Sequence, residues 1–140
     1  MKKLPFIFLF FMVLSCGISK KKSSNPLYEI LKTQNNGGAS IQFFEILSEP
    51  REIKMLLNDS DLKRKIKLND ITTCNYVILN LGEKTSEGYS ISIKNVEETS
   101  DKIIITVEEN EPIYSAEKLV EFVTPFVILK INSKKEIVFK

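Results

Sequence analysis

The stretch NYVILNLGEKTSEGYSISI, residues 75–93, contains the clearest structural signal in the chain. Every second residue from Val77 to Leu81 is apolar, and the same alternation returns from Tyr89 to Ile93. An apolar residue at every second position is typical of a β-strand with one buried face. The stretch therefore predicts two strands, the first over residues 75–81, joined by the polar loop 82–88.

Upstream of this stretch, the sequence predicts a β-hairpin. Residues 28–34 form a candidate first strand, and residues 40–47 are an aromatic and β-branched run. Between them, residues 35–38 read Asn-Asn-Gly-Gly. Asn and Gly tolerate positive φ, which tight turns require, so we predict that the two flanking strands pair with each other.

A change of periodicity after Ser48 predicts the main helix. Ser48 is a suitable capping residue, and Pro50 is tolerated in a first helical turn. Residues 53–57 place three apolar side chains at helical spacing on one face. We predict a helix over residues 49–58, to which the charged segment 59–67 adds a turn or two.

Downstream, the chain continues as strands. Residues 103–107 alternate with an apolar face, and residues 126–131 form an apolar run that starts directly after Pro125. Proline donates no hydrogen bond to a sheet and so belongs at an edge or a strand start. Residues 133–135 predict a turn into a last strand over residues 136–139, paired with the strand before it.

The order of these elements favours a mainly β fold. We expect a β-sandwich or barrel-like arrangement of antiparallel sheets with one packed α-helix.

The first residues of the chain resemble a bacterial lipoprotein signal peptide. Lys2 and Lys3 precede an 11-residue apolar stretch, residues 4–14, and Ser15 stands before Cys16. A membrane-spanning helix needs about 20 apolar residues, so this stretch is typical of a cleaved signal. The alternative is an ordinary secretory signal with a chance cysteine.

The lipoprotein resemblance implies a division of the chain. We expect residues 1–15 to be a signal peptide, Cys16 to be the lipid-attachment residue, residues 16–25 to be a tether and residues 26–140 to be one domain. The protein would then be anchored in the bacterial cell envelope, at the outer membrane or cell surface rather than at the inner membrane.

Composition argues against several kinds of site. The chain has 20 basic and 18 acidic residues, and five of the basic ones precede Pro26, which leaves the domain with a net charge of −3. Since nucleic-acid binding needs a surplus of positive charge, we expect no nucleic-acid partner. The chain has no histidine, and Cys74 is the only thiol besides Cys16. We therefore expect no catalytic residues, no metal site, no cofactor and no enzymatic activity.

The loop 82–88 is the candidate binding site. Gly82 and Gly88 allow the two strands to end and begin sharply, and the residues between them are polar. Exposed loops held by rigid strands often contain binding residues. The alternative is a plain connector whose glycines serve only the turn.

The order of elements around this loop resembles the C-terminal domain of the PrcB family, best over residues 69–139. The resemblance rests on Gly82, Lys84, Thr85, Gly88, Tyr89, Ile93, Thr124, Pro125 and Phe126. That family comprises subunits of protease complexes, several of them lipoproteins. The resemblance implies a non-catalytic protein that binds and stabilises a secreted or surface protease. The loop is also similar to the Thr-x-Gly-Tyr loop of chagasin-type cysteine-protease inhibitors, which are β-sandwiches.

From the resemblance and the loop together, we expect a protein-binding surface. The residues that make or support the contact are Glu83, Lys84, Thr85, Ser86, Glu87, Gly88, Tyr89, Thr124 and Pro125. Two other functions stay open: direct inhibition of a protease, and a structural or ligand-binding role in the envelope without a protease.

Overall fold

The computed structural model describes residues 25–85, 87–113 and 121–140, which form seven strands and three short helices. In chain order these are β1 (Tyr28–Gln34), β2 (Phe43–Leu47), α1 (Pro50–Leu56), α2 (Ser60–Lys65), α3 (Asp70–Thr73), β3 (Asn75–Asn80), β4 (Ser90–Glu98), β5 (Lys102–Asn110), β6 (Phe126–Ile131) and β7 (Glu136–Phe139). The predicted mainly β fold is confirmed, with three short helices instead of one.

Several predictions concern residues outside the described part of the chain. The signal peptide, Cys16, the tether up to residue 24, and Ser86 of the loop all lie there. Within the described part, no helix is both long and apolar enough to cross a membrane.

The larger sheet has four antiparallel strands in the order β1-β6-β3-β2. Its two central strands, β3 and β6, are buried along most of their length. A central strand is covered on both faces, which fits the nearly continuous apolar runs of these two segments.

The predicted hairpin between the first two strands is wrong. β1 pairs with β6 and β2 pairs with β3, so the two strands lie at opposite edges of the sheet. β3 and β6 are the more apolar strands and gain most from a central position, which leaves only the edges for β1 and β2. Residues 35–38 do bend the chain, with Gly37 at a φ of 106°, before it continues to β2 at the opposite edge of the sheet.

The smaller sheet is mixed, with strand order β4-β5-β7. β4 and β5 form an antiparallel hairpin, whereas β7 runs parallel to β5 with Ile103 opposite Ile137. The predicted pairing of the last two strands is therefore wrong. β6 already has β1 and β3 as neighbours, so it offers no free edge to β7, and the chain crosses to the other sheet.

The structure has three layers. The two sheets pack face to face through one apolar cluster, in which Val77, Leu79 and Leu81 meet Ile103 and Ile105, as the alternation predicted. The helices cover the other face of the four-stranded sheet with a second cluster that includes Ile53, Leu56, Leu62, Ile71 and Tyr76. The four-stranded sheet is thus buried on both sides and forms the rigid centre of the fold.

The helical segment differs from the prediction at both ends. Glu49 rather than Ser48 is the N-cap of α1, and its backbone N–H donates to the Glu52 carboxylate at 3.1 Å. The helix stops before Asp59, whose side chain accepts hydrogen bonds from the backbone of Asp61 and Leu62 and starts α2. The side chain of Lys32 bonds Asp59 at 2.5 Å and holds the pKa of that carboxyl below its ordinary value.

A charged cluster lies between the helices and β6. Lys130 is buried, and its Nζ is 3.2 Å from Asp70 Oδ2 and 3.5 Å from Glu29 Oε1. Burial alone would lower the pKa of Lys130, but the hydrogen bond to Asp70 and the negative charges of Asp70 and Glu29 outweigh it and raise the pKa. Tyr76, opposite Lys130 in the sheet, is fully buried, and burial raises the pKa of its hydroxyl.

Candidate functional site

The base of the loop is an irregular continuation of the four-stranded sheet. Beyond the regular strands, the segments 35–38, 123–125, 81–84 and 40–42 keep the order of the strands from which they extend. The backbone of Glu83 donates to Ser40 O at 2.9 Å, and Lys84 pairs with Val123 through two bonds of 2.8 and 3.0 Å. The loop is therefore tied on both sides. We call residues 35–42, 81–85, 87–89 and 121–125 the loop end.

Both positions that frame the loop require glycine for steric reasons. Gly82 has a φ of 76°, and a Cβ there would lie 2.8 Å from the backbone nitrogen of Gln42. Gly88 has a φ of 97°, and its Cβ would lie 2.8 Å from the Pro112 side chain. Since left-handed φ and close approach both favour glycine, these residues determine where the loop leaves and re-enters the fold.

The predicted contact residues differ in exposure. Glu83, Thr85, Glu87 and Gly88 are exposed, whereas Ser86 lies outside the described residues. Lys84 is half-buried, and its Nζ lies 5.6 Å from the centre of the Tyr89 ring, within reach of a cation–π contact. The exposed loop side chains are thus available to a partner.

The residues predicted to support the loop lie mostly beneath it. Tyr89 is half-buried against the cluster between the sheets, and Pro125 is buried with its carbonyl accepting from Leu81 N at 2.9 Å. Thr124 has another task. Its Oγ1 accepts from Gly37 N at 3.0 Å and donates to Asn36 Oδ1 at 2.9 Å, which ties the 35–38 turn rather than the loop itself.

Asn80 is a supporting residue that the sequence analysis missed. Its side chain is 1% exposed and makes three hydrogen bonds to segment 39–41. Oδ1 accepts from Ala39 N at 3.0 Å, and Nδ2 donates to Ala39 O at 2.9 Å and to Ile41 O at 2.7 Å. Those bonds hold Ser40, whose carbonyl accepts from Glu83. The signal available in the sequence was that Asn80 is an amide residue near the end of an otherwise apolar strand.

Asn80→Ala is expected to loosen the loop base without touching its tip. Loss of three hydrogen bonds should lower the free energy of unfolding by about 2 kcal/mol. Urea denaturation would measure that loss, and amide hydrogen exchange should show reduced protection at Glu83 N–H. Asn95→Ala is the control, because Asn95 is exposed and its side chain donates to Glu97 rather than to the loop base. Unchanged protection at Glu83 in the Asn80 variant would contradict this role.

The described residues offer no metal-binding cluster. No group of three or more Cys, Asp or Glu side chains in residues 25–85, 87–113 and 121–140 is arranged to hold a metal ion.

Part of the chain matches a known protein family. Residues 75–132 match the family described as PrcB C-terminal. No curated protein and no solved structure matches the chain significantly. The matched segment runs from β3 through β6 and contains the whole loop with its two glycines. The resemblance predicted from the sequence is thus confirmed over this segment, and residues 75–132 carry the PrcB C-terminal pattern.

Proposed function

We propose that the protein is a non-catalytic subunit of a protease complex that binds and stabilises an exported or surface protease through the loop 82–89. The observation that carries the proposal is the match of residues 75–132 to the PrcB C-terminal family, which includes this loop. The geometry supports it, because a loop held by backbone bonds on both sides presents its side chains at little entropic cost.

The proposal includes a lipid anchor at Cys16. The basic and apolar residues before Cys16 support it, and the protein would then reside in the bacterial cell envelope, at the outer membrane or cell surface. One acyl chain binds a membrane only marginally, whereas several bind it stably. Anchoring would also raise the local concentration of the protein near other anchored or surface-bound partners, so a modest affinity would suffice.

Exchange of the loop tip tests the proposal. The tagged full-length protein is purified from membranes of its own host, beside a variant in which residues 83–87 are replaced by Gly and Ser. We expect a protease to co-purify with the native protein and to be lost, by about tenfold or more, with the variant. Mass spectrometry identifies the protease, and a peptidase assay measures it.

The control is a Gly-Ser replacement of Ser100 and Asp101, in the exposed turn between β4 and β5. Both variants should keep their melting temperature within a few degrees, since the described side chains that they replace are exposed or half-buried. Equal protease recovery with the native loop and the exchanged loop would contradict the proposal.

The same preparation separates a subunit from an inhibitor. A stabilising subunit leaves the recovered protease active and lengthens its lifetime. An inhibitor of the chagasin type suppresses the protease, and its release restores activity. Lower protease activity in the presence of the native chain than with the exchanged loop would therefore favour inhibition.

A further inference from the structure

Two large apolar side chains flank the loop base and are open to solvent. Ile41 is 78% exposed and directly follows Ser40, which binds the Glu83 backbone. Phe122 is 51% exposed and directly precedes Val123, which binds the Lys84 backbone. The two side chains therefore stand on either side of one short segment. Exposed apolar groups clustered at one end of a fold are typical of a protein-binding surface.

The same end is strongly acidic in the part of the chain that the structure describes. Its exposed carboxylates are Glu83, Glu87 and Glu121, with Glu109 and Glu111 on the neighbouring end of β5 and after it. The amide of Gln42 donates to Glu109 at 2.6 Å and joins that segment to the loop end. No ion pair among the described residues involves these five glutamates.

A pocket of about 330 Å³ opens between the loop and segment 121–123. Glu87 and Glu121 contribute to its walls, together with Tyr89 and Asn36. Carboxylates attract a guanidinium or ammonium group. The pocket therefore has the chemistry to receive an arginine or lysine side chain.

We propose that the loop end docks on a basic, partly apolar surface of the partner protein. A lysine or arginine of the partner enters the pocket between Glu87 and Glu121, while Ile41 and Phe122 become buried against apolar side chains. Charge complementarity selects this occupant, because the loop end has three exposed carboxylates, with two more on the neighbouring end of β5, against one described cation, Lys84. The inference rests on the proposed function in taking that partner to be the protease.

Site-specific photo-crosslinking in the native host tests the inference. The photoreactive residue p-benzoylphenylalanine replaces Phe122 or Ile41 in the full-length chain. The matched controls carry it at Met55 and Leu68, which are 67% and 83% exposed but lie in α1 and between α2 and α3. We expect ultraviolet light to link positions 122 and 41, but neither control, to one protein. Peptide mapping should place the link in a segment with lysine or arginine beside apolar residues.

The charge contribution is tested in the same cells. The double variant Glu87→Gln, Glu121→Gln should reduce the crosslink from position 122 by about tenfold, since loss of a hydrogen bond between charged groups weakens binding by at least that factor. The variant Glu97→Gln, at the far end of β4, should leave the yield unchanged. Both loop-end substitutions affect exposed side chains, so the fold should persist.

Each outcome decides the inference. Three results would overturn it. The first is crosslinks no stronger than at positions 55 and 68, and the second is links to lipid, to a second copy of the chain or to an acidic segment. The third is a crosslink yield that does not change in the Glu87 and Glu121 variant. A link to a basic segment of a protein without protease activity would support the docking surface and reject the protease as partner. Loss of the protease on loop exchange without these crosslinks would keep the proposed function and reject the docking surface.

Discussion

Gly38→Ala should lower the free energy of unfolding by about 3 kcal/mol, although it adds a single methyl group at a half-buried position. A Cβ on Gly38 would lie 2.2 Å from Asn80 Oδ1 and 2.7 Å from the backbone carbonyl of Thr124. Neither atom can move freely. Asn80 is fixed by three hydrogen bonds, and the Thr124 carbonyl accepts from Gly38 N at 3.0 Å. The variant must therefore break the contacts that hold the loop base.

Gly37→Ala is the matched control for Gly38→Ala. Gly37 has a φ of 106°, but a Cβ there would meet no atom closer than 3.5 Å. Its cost is the strain of a left-handed backbone alone, about 1–2 kcal/mol. Chemical denaturation of both variants measures the two costs. If the Gly37 variant is as destabilised as the Gly38 variant, the close contact with Asn80 and Thr124 is not the main cause of the loss of stability in Gly38→Ala.

Lys130→Met is expected to cost about 3 kcal/mol, because it removes the buried ammonium group that pairs with the largely buried carboxylate of Asp70. Asp70 would keep its bond from Lys67 N at 3.1 Å but would face the core without its 3.2 Å ion pair. Lys102→Met is the control, because Lys102 is partly exposed and its Nζ lies 3.9 Å from Glu136. That exposed pair should contribute less than about 1 kcal/mol. Equal losses of unfolding free energy in the two variants would contradict the prediction that the buried ion pair contributes more than the exposed one.

The same cluster predicts a loss of stability at high pH. The folded-state pKa of Lys130 is raised above its ordinary value of 10.5. A raised folded pKa contributes stability that is complete below 10.5 and is lost as the pH rises through the folded value. Denaturation at a series of pH values should show this loss in the native protein and a shallower loss in Lys130→Met. The pKa of the Tyr76 hydroxyl is also raised, so its contribution to stability is lost in the same direction as the pH rises. This contribution accounts for the pH-dependent loss that remains in Lys130→Met.

Local patterns predicted the strands well. The alternation in residues 75–81 and 103–107 identified the faces that meet between the sheets, and the strand over residues 126–131 has the predicted bounds. Side-chain alternation depends only on neighbours along the chain, so it is readable without a partner strand. The loop 82–88 was found for the same reason, because glycines and polar residues mark it between two regular segments.

Strand pairing could not be predicted in the same way. The Asn-Asn-Gly-Gly turn suggested a hairpin, yet β1 and β2 lie at opposite edges of one sheet. The turn at residues 133–135 suggested another, yet β7 lies parallel to β5 in the other sheet. In both cases, the free energy gained by placing β3 and β6 in the centre of the sheet outweighed the preference of the local turn. No short local segment specifies that placement.

The candidate site shows the same division. By itself, the sequence determined the strand-forming segments, their buried faces, the exposed loop between its two glycines and the resemblance that residues 75–132 confirm. Only the tertiary structure decided that Asn80 and Gly38 hold the loop base and that Ile41 and Phe122 flank it with Glu121 nearby. Those residues come from three separate segments, and only the packing of β1, β2, β3 and β6 side by side brings their ends together.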